Sequence, residues 1–350
     1  MNTLRGLLDL AIAHLPLKTP QKVKLAQALQ CEADLRGLTA SVFAAIVEEG
    51  GSTAGGALNI GELFLDVEAP DIAPRLRAAL KEVDGAFKQA EKDALLLERR
   101  GMDFVSIADG CYPPALKTIY DPPAVLFYKG NITGLYAPSA PLIAVVGTRK
   151  PSGDAMAWTY KTARELAAAG VCIVSGLALG IDAQAHRGAV DAHGITYAVL
   201  GSALDMVHPR TNRSLAGRII DGGGAIISEY PPGTPPSKWR FPERNRIISG
   251  LCAATLVACA PKKSGALITA DFALEQGREV WVGALPNNEP FGEGCRRLAF
   301  DGAKVITTAT DALTEFNIET AEEPEIPPSV NKSAPAHILA GSLARELGLR

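Results

Sequence analysis

Cysteine is scarce and scattered. Cys31, Cys111, Cys172, Cys252, Cys259 and Cys295 form no Cys-x-x-Cys pair and have no nearby histidines. That arrangement indicates neither a zinc site nor a disulfide framework, so buried free thiols and no metal are expected. The fingerprints of the common nucleotide enzymes are missing too. No Gly-x-Gly-x-x-Gly and no Gly-x-x-x-x-Gly-Lys-Ser/Thr occurs, which disfavours NAD binding and ATP hydrolysis by their usual routes. No serine sits in a Gly-x-Ser-x-Gly elbow, and His193 and His208 lack triad-like company, so nucleophilic catalysis has no support. No apolar run is long enough to span a bilayer. The N-terminal stretch MNTLRGLLDLAIAHLPLK carries no cleavage-site pattern and is interrupted by Arg5, Asp9 and His14. The expected location is the cytoplasm, with no membrane partner. Net charge is also small, −3. A weakly acidic balance argues against coating duplex DNA through bulk charge, yet leaves room for a local basic groove.

What is present is an ordinary globular composition, 47% hydrophobic and 21% charged over 350 residues, a length that suggests two domains or one large and one small. From Met1 to about Gly101 the apolar spacing is helical, most clearly from Pro74 to Arg100, with proline at the start and Gly101 just past the end. This reads as a small helical domain, residues 1–101, suited to packing or partner docking. Residues 102–141 carry YPPAL and DPPAVLFYKG, proline-bounded extended pieces that suit a connector packed along a sheet edge. From Leu142 the chain alternates strand and helix, the pattern of an α/β, Rossmann-like, doubly wound and mainly parallel sheet over residues 142–317. The expected strands are Leu142–Val146, Val171–Ser175, Thr196–Leu200, Ala225–Ser228, Ala254–Ala258, Glu279–Val282 and Lys304–Ile306. Residues 318–350, acidic and proline-rich at first, read as a flexible tail with room for one short helix.

In such sheets ligands bind beyond the carboxyl ends of the strands, so the loops there are where function is sought. The first, VVGTRKPSG, sets Gly147 at the strand end and then the cations Arg149 and Lys150, which suits a phosphate. The next, VSGLALGID, offers Ser175 and Gly176, and VLGSALD repeats the theme. Glycine there could equally serve tight strand-to-helix packing. Four or five loops opening on one edge would form a continuous trough rather than a single pocket.

Charge concentrates between Lys238 and Lys263, where Lys238, Arg240, Arg244, Arg246, Lys262 and Lys263 face the single acid Glu243. Such local asymmetry points to an anionic ligand. Phe241 and Pro242 before RNR, and Ile247 and Ile248 after it, anchor that segment, so Arg244 and Arg246 are held for phosphate rather than solvated. Asn245 between them can donate to a base edge or sugar. Ser264 is a natural N-cap, and Gly265 would let an anion approach the free amides of the following helix. Asp182 and His186, one helical turn apart, read as a hydrogen-bonded structural pair, and Glu229 as a charge balance for the cations around it.

Taken together, VGTRKPSG, SGLALGIDAQAH, YAVLGSALD, ISEYPPG, FPERNRIISGL and SGALITADFALEQGREV resemble the signature series of the DprA/Smf DNA-processing family over about residues 100–310. The resemblance implies a Rossmann-like, non-catalytic homodimer that binds single-stranded DNA, protects it and loads the RecA recombinase during natural transformation. It implies a basic pocket of Gly147, Arg149, Ser175, Gly176, Arg244, Asn245, Arg246, Ser264 and Gly265, to which Lys150 and Lys263 are added. The loop GALPNN and the segment GCRR depart from the family pattern, with Arg296 where asparagine is expected. The family's frequent C-terminal winged helix is expected to be absent or reduced to His337–Arg350.

One rival reading is an enzyme of the nucleotide phosphoribohydrolase type. Its Pro-Gly-Gly-x-Gly-Thr-x-x-Glu loop is not present, and the nearest analogue, SGALITAD, offers Asp271 in place of glutamate.

Overall fold

The computed structural model describes residues 3–30, 32–38, 46, 74–284, 289 and 292–318. The tail at 319–350 and most of the GALPNN loop lie outside these residues.

Helices come first: α1 (Thr3–His14), α2 (Thr19–Ala28), α3 (Glu32–Arg36), α4 (Pro74–Lys81) and α5 (Val83–Arg100). The single helix expected from Pro74 to Arg100 is broken at Glu82, between α4 and α5. Its end is as expected, because Gly101 adopts φ 58°, ψ 42° and closes α5 with Arg99 and Arg100 in the last turn. α1 packs on α5, joined by His14 Nε2 and Asp93 Oδ2 at 2.7 Å.

Two strands follow, β1 (Asp103–Ser106) and β2 (Val125–Gly130), flanking the short α6 (Pro114–Lys117), and α7 (Thr133–Tyr136) comes next. Then the alternation begins: β3 (Leu142–Gly147), α8 (Gly153–Ala168), β4 (Cys172–Ser175), α9 (Ile181–Asp191), β5 (Thr196–Val199), α10 (Arg213–Asp221) and β6 (Ala225–Ser228). It continues with α11 (Arg240–Gly250), β7 (Ala254–Cys259), α12 (Gly265–Glu275), β8 (Glu279–Gly283), α13 (Glu293–Phe300), β9 (Lys304–Ile306) and α14 (Ala309–Thr314). Each of the seven strands expected from the sequence is present. α11 is an addition, and it carries the RNR segment inside a helix rather than at an exposed helix start.

The nine strands form one sheet in the order β1-β2-β6-β5-β4-β3-β7-β8-β9. Pairings from β6 through β9 are parallel. β2 lies antiparallel to β6 and β1 antiparallel to β2, so residues 102–141 lie at one edge of the sheet and supply its last two strands there. Its two faces are both covered, as the β-branched runs require. Ile143 and Val145 face a core with Ala163, Leu166 and Ala185 of α8 and α9. Ala144 and Val146 face the opposite core, which takes in Ile247 and Ile248 of α11, Ala270 of α12 and also Leu8, Leu25 and Phe87 of the N-terminal helices. Each fully buried Val, Leu, Ile or Phe among them contributes about 1.5–3 kcal/mol. The strand order reverses at β3, whose neighbours are β4 on one side and β7 on the other. The loops after β3 and β7 therefore part company there and leave a crevice.

Candidate nucleic-acid interface

That crevice is a cleft of about 720 Å³. The loops and first helical turns after five successive strands line it: Gly147 to Lys150 after β3, Ala178 and Asp182 after β4, His208 after β5, Lys238 and Phe241 after β6, and Pro261 with Lys263 to Gly265 after β7. A neighbouring cavity of about 610 Å³ between α12 and α13 shares Lys263, Ser264 and Gly265 with it, so the two adjoin across the first turn of α12.

The floor of the cleft is braced by backbone. The Thr148 amide donates to the Cys259 carbonyl at 2.7 Å, tying the β3 loop to the end of β7. Gly147 must be glycine, since a Cβ would lie 2.6 Å from Ile181 Cγ1 and 2.7 Å from the Cys259 oxygen. Ser152 caps α8 by accepting from the Ala155 amide at 3.1 Å, and its hydroxyl donates to Glu289 Oε2 at 2.5 Å. Between these anchors Arg149 and Lys150 project into solvent. The Arg149 guanidinium stands 5.3 Å from the Phe241 ring centroid, and the His208 ring lies 5.7 Å from Phe241 on a tilted plane.

Arg244 and Arg246 have separate fates. Arg244 is buried, 4% exposed, yet borders the cleft. Its Nη1 donates to the carbonyls of Gly176, at 3.0 Å, and Val199, and its Nε to Asn245 Oδ1 at 3.2 Å. It thus clamps the ends of β4 and β5 to α11, and Nη2 has no hydrogen-bond partner among the described residues. Burial lowers its pKa to about 10, with the Asp182 carboxylate working in the opposite direction, so it stays charged at neutral pH. Gly176 makes this possible: a Cβ there would sit 2.5–2.7 Å from the Arg244 guanidinium. Arg246 is just as buried but turns away from the cleft. It forms a two-point ion pair with Glu229, and its Nε donates to the Asp121 carbonyl at 2.9 Å. Burial alone would lower its pKa, but Glu229 and Asp121 outweigh that and raise it.

Three expected contributions therefore change. Arg246 is not brought to the cleft, and Glu229 is the partner that balances it. Ser175 is fully buried under the floor, its hydroxyl donating to the Val145 carbonyl at 2.6 Å. Asn245 lines the cleft but turns its amide inward: Nδ2 donates to the Gly265 carbonyl at 3.1 Å, fixing α11 against the start of α12. Ser264 caps α12 as expected, accepting from the Ala266 amide at 3.3 Å, and a Cβ at Gly265 would meet nothing within 4 Å. Asp182 and His186 do not pair with each other. Asp182 Oδ2 accepts from the Gly176 and Ala178 amides at 3.2 and 3.3 Å, while His186 Nδ1 meets Thr196 Oγ1 at 2.7 Å. Of the described cysteines, Cys111 is exposed, and Cys172, Cys252, Cys259 and Cys295 are buried.

The cleft gathers Arg149, Lys150, Lys238, Arg244 and Lys263 against one lining carboxylate, Asp182, which backbone amides already hold. Such a basin is strongly attractive to a polyanion. Among the described residues no cluster of three or more His, Cys, Asp or Glu side chains could hold a metal ion.

Residues 103–317 match the family model described as DNA recombination-mediator protein A. The chain belongs to this DprA/Smf family. It is 44% identical over 213 residues to DNA processing protein DprA of Streptococcus pneumoniae, covering 60% of this chain and 73% of that protein. The solved structure of the S. pneumoniae protein superimposes with a TM-score of 0.62, covering 83% of this chain and 96% of that one. A second structure, of DNA processing protein A from Helicobacter pylori, is 29% identical with a TM-score of 0.55, covers 61% of this chain and 96% of that chain, and is described by its single-stranded DNA binding mode. In this DprA/Smf chain Lys238, Phe241, Thr148 and His208 line the cleft although the sequence motifs did not assign them to it. Lys238 was countable in the basic cluster. His208 had no local signal, because only the sheet carries the β5 loop to the β3 loop.

Proposed function

We propose that this protein is a non-catalytic recombination mediator that holds single-stranded DNA in the cleft at the β3/β7 crevice, protects incoming DNA and hands it to RecA during natural transformation, in the cytoplasm and as a homodimer. The observation that carries the reading is the cation-lined cleft built by five consecutive post-strand loops. Flexible single strands can follow such a trough, whereas among the described residues no helix with base-reading side chains stands ready for a major groove. Arg149, Lys150, Lys238 and Lys263 supply phosphate contacts, and Arg244 offers Nη2 from below. Gly147 and Gly176 let the floor of the cleft and Arg244 pack closely, Gly265 leaves space for the strand to approach, and Ser264 and Asn245 shape the opening of α12.

Homodimer formation is supported by the far edge of the sheet. β9 is an edge strand whose Val305 is 46% exposed, and Phe300, at the end of the preceding helix α13, is 88% exposed.

The phosphoribohydrolase reading needs a carboxylate free to face a ribose in the cleft. Asp271 lines the neighbouring cavity instead, and Asp182 is held by two backbone amides. A gel-shift comparison tests the proposal: oligothymidylate should bind more tightly than blunt duplex of equal length, and equal or tighter duplex binding would refute it. A nucleotide-hydrolysis assay should show no turnover.

A further inference from the structure

Trp239 stands between two residues that line the cleft, Lys238 and, two positions on, Phe241. Its ring is 59% exposed, at the N-terminal end of α11. Isolated exposed apolar side chains are common and by themselves call for no explanation. This one differs in being held. The Arg240 guanidinium lies 4.8 Å from the Trp239 ring centroid and 5.1 Å from the Tyr230 ring centroid. Arg240 Nη1 also donates to the Pro235 carbonyl, and the Tyr230 hydroxyl donates to Glu243 Oε2 at 3.0 Å. Trp239, Arg240 and Tyr230 thus form a cation–ring cluster, of which Arg240 and Tyr230 are tied to the loop after β6 and to α11. Its exposed member is the indole of Trp239, adjacent in the chain to Lys238 of the cleft.

An immobilised aromatic face beside a phosphate-binding cation is suited to one kind of group, a planar nucleobase attached to the phosphate held next door. Stacking on a ring already ordered costs little side-chain entropy, and it tolerates any base because every base has a π-face. Among the described residues the other exposed large aromatics are Tyr120 and Phe300, and neither has a cleft-lining residue beside it in the chain as Trp239 has in Lys238. We infer that Trp239 is a base-stacking platform at the rim of the cleft, which takes a nucleobase of a single strand whose phosphates lie on Lys238 and Arg149. This rests on the single-strand reading of the cleft and adds to it a contact with the bases.

The test compares oligothymidylate of about 16 nucleotides, the upper end of common single-strand footprints, with an abasic phosphodiester chain of equal length. Trp239→Ala should weaken oligothymidylate binding about 5- to 150-fold with an unchanged salt slope, and leave abasic binding unaltered. Trp239→Phe should restore affinity while abolishing the quenching of tryptophan fluorescence that oligothymidylate causes in the native protein. A folded Trp239→Ala variant with native affinity for oligothymidylate would overturn the inference, as would equal losses on both oligomers. If the native protein bound neither oligomer, the single-strand reading would fail, and this inference with it.

Discussion

Arg246 and Glu229, 17 positions apart in sequence, meet in a buried two-point ion pair, Nη1 to Oε1 at 2.8 Å and Nη2 to Oε2 at 2.7 Å. Their side chains are 5% and 10% exposed. The pair pins α11 to the end of β6 and so sets the register at which Arg244 and Asn245 reach the cleft. Removing one partner strands the other charge in a poorly solvated site. Arg246→Ala should therefore cost about 3–5 kcal/mol in urea unfolding. The salt slope of DNA binding, measured below the unfolding midpoint, should be that of the native protein.

Arg149 should behave in the opposite way. It is exposed, with its guanidinium near Phe241 and no ion pair among the described residues, so Arg149→Ala should change stability by no more than about 0.5 kcal/mol. It should flatten the plot of log affinity against log salt by about 0.7, the share of one phosphate contact on a single strand. Arg244→Ala combines both effects, because it leaves the Gly176 and Val199 carbonyls without this donor and also removes a charge from the cleft. A slope for Arg149→Ala equal to that of the native protein would move the strand away from the β3 loop.

His186 sets a pH dependence of stability. Burial lowers its pKa from 6.5 to about 3, with the nearby Arg244 charge acting in the same direction. Between those values the unfolded chain binds a proton that the folded protein refuses. Stability should therefore fall as the pH drops from about 6.5 toward 3, by up to about 1.4 kcal/mol per pH unit from this group. His186→Gln should remove that share of the slope when urea unfolding is followed at pH 6.5, 5.5 and 4.5.

Phe300 tests the proposed homodimer. An aspartate in place of this 88% exposed ring would put charge at the edge of the sheet without disturbing the core. Light scattering at micromolar concentration should give twice 36.7 kDa for the native protein and a mass near 36.7 kDa for Phe300→Asp. A native mass near 36.7 kDa would count against the dimer.

Local pattern alone determined much of this protein. The β-branched runs that became β3 to β9 and the glycine and serine punctuation around them were legible because covered parallel strands need continuous apolar sequence, and helix starts need caps. Gly101 as the end of α5 and Ser264 as the cap of α12 follow from backbone geometry that involves only near neighbours. Arg244 and Arg246 mark the limit of such reading. Two positions apart in one helix and flanked by the same apolar anchors, they are equivalent in sequence but point in different directions. Residues two apart on an α-helix lie about 200° apart around its axis. One guanidinium therefore meets the carbonyls at the ends of β4 and β5, and the other meets a carboxylate at the end of β6. Burial of Ser175, the inward turn of Asn245, the arrival of His208 and the exposure of Trp239 likewise depend on which loops the sheet order makes neighbours. That order is set by packing between strands far apart in the chain, and only the tertiary structure decides it.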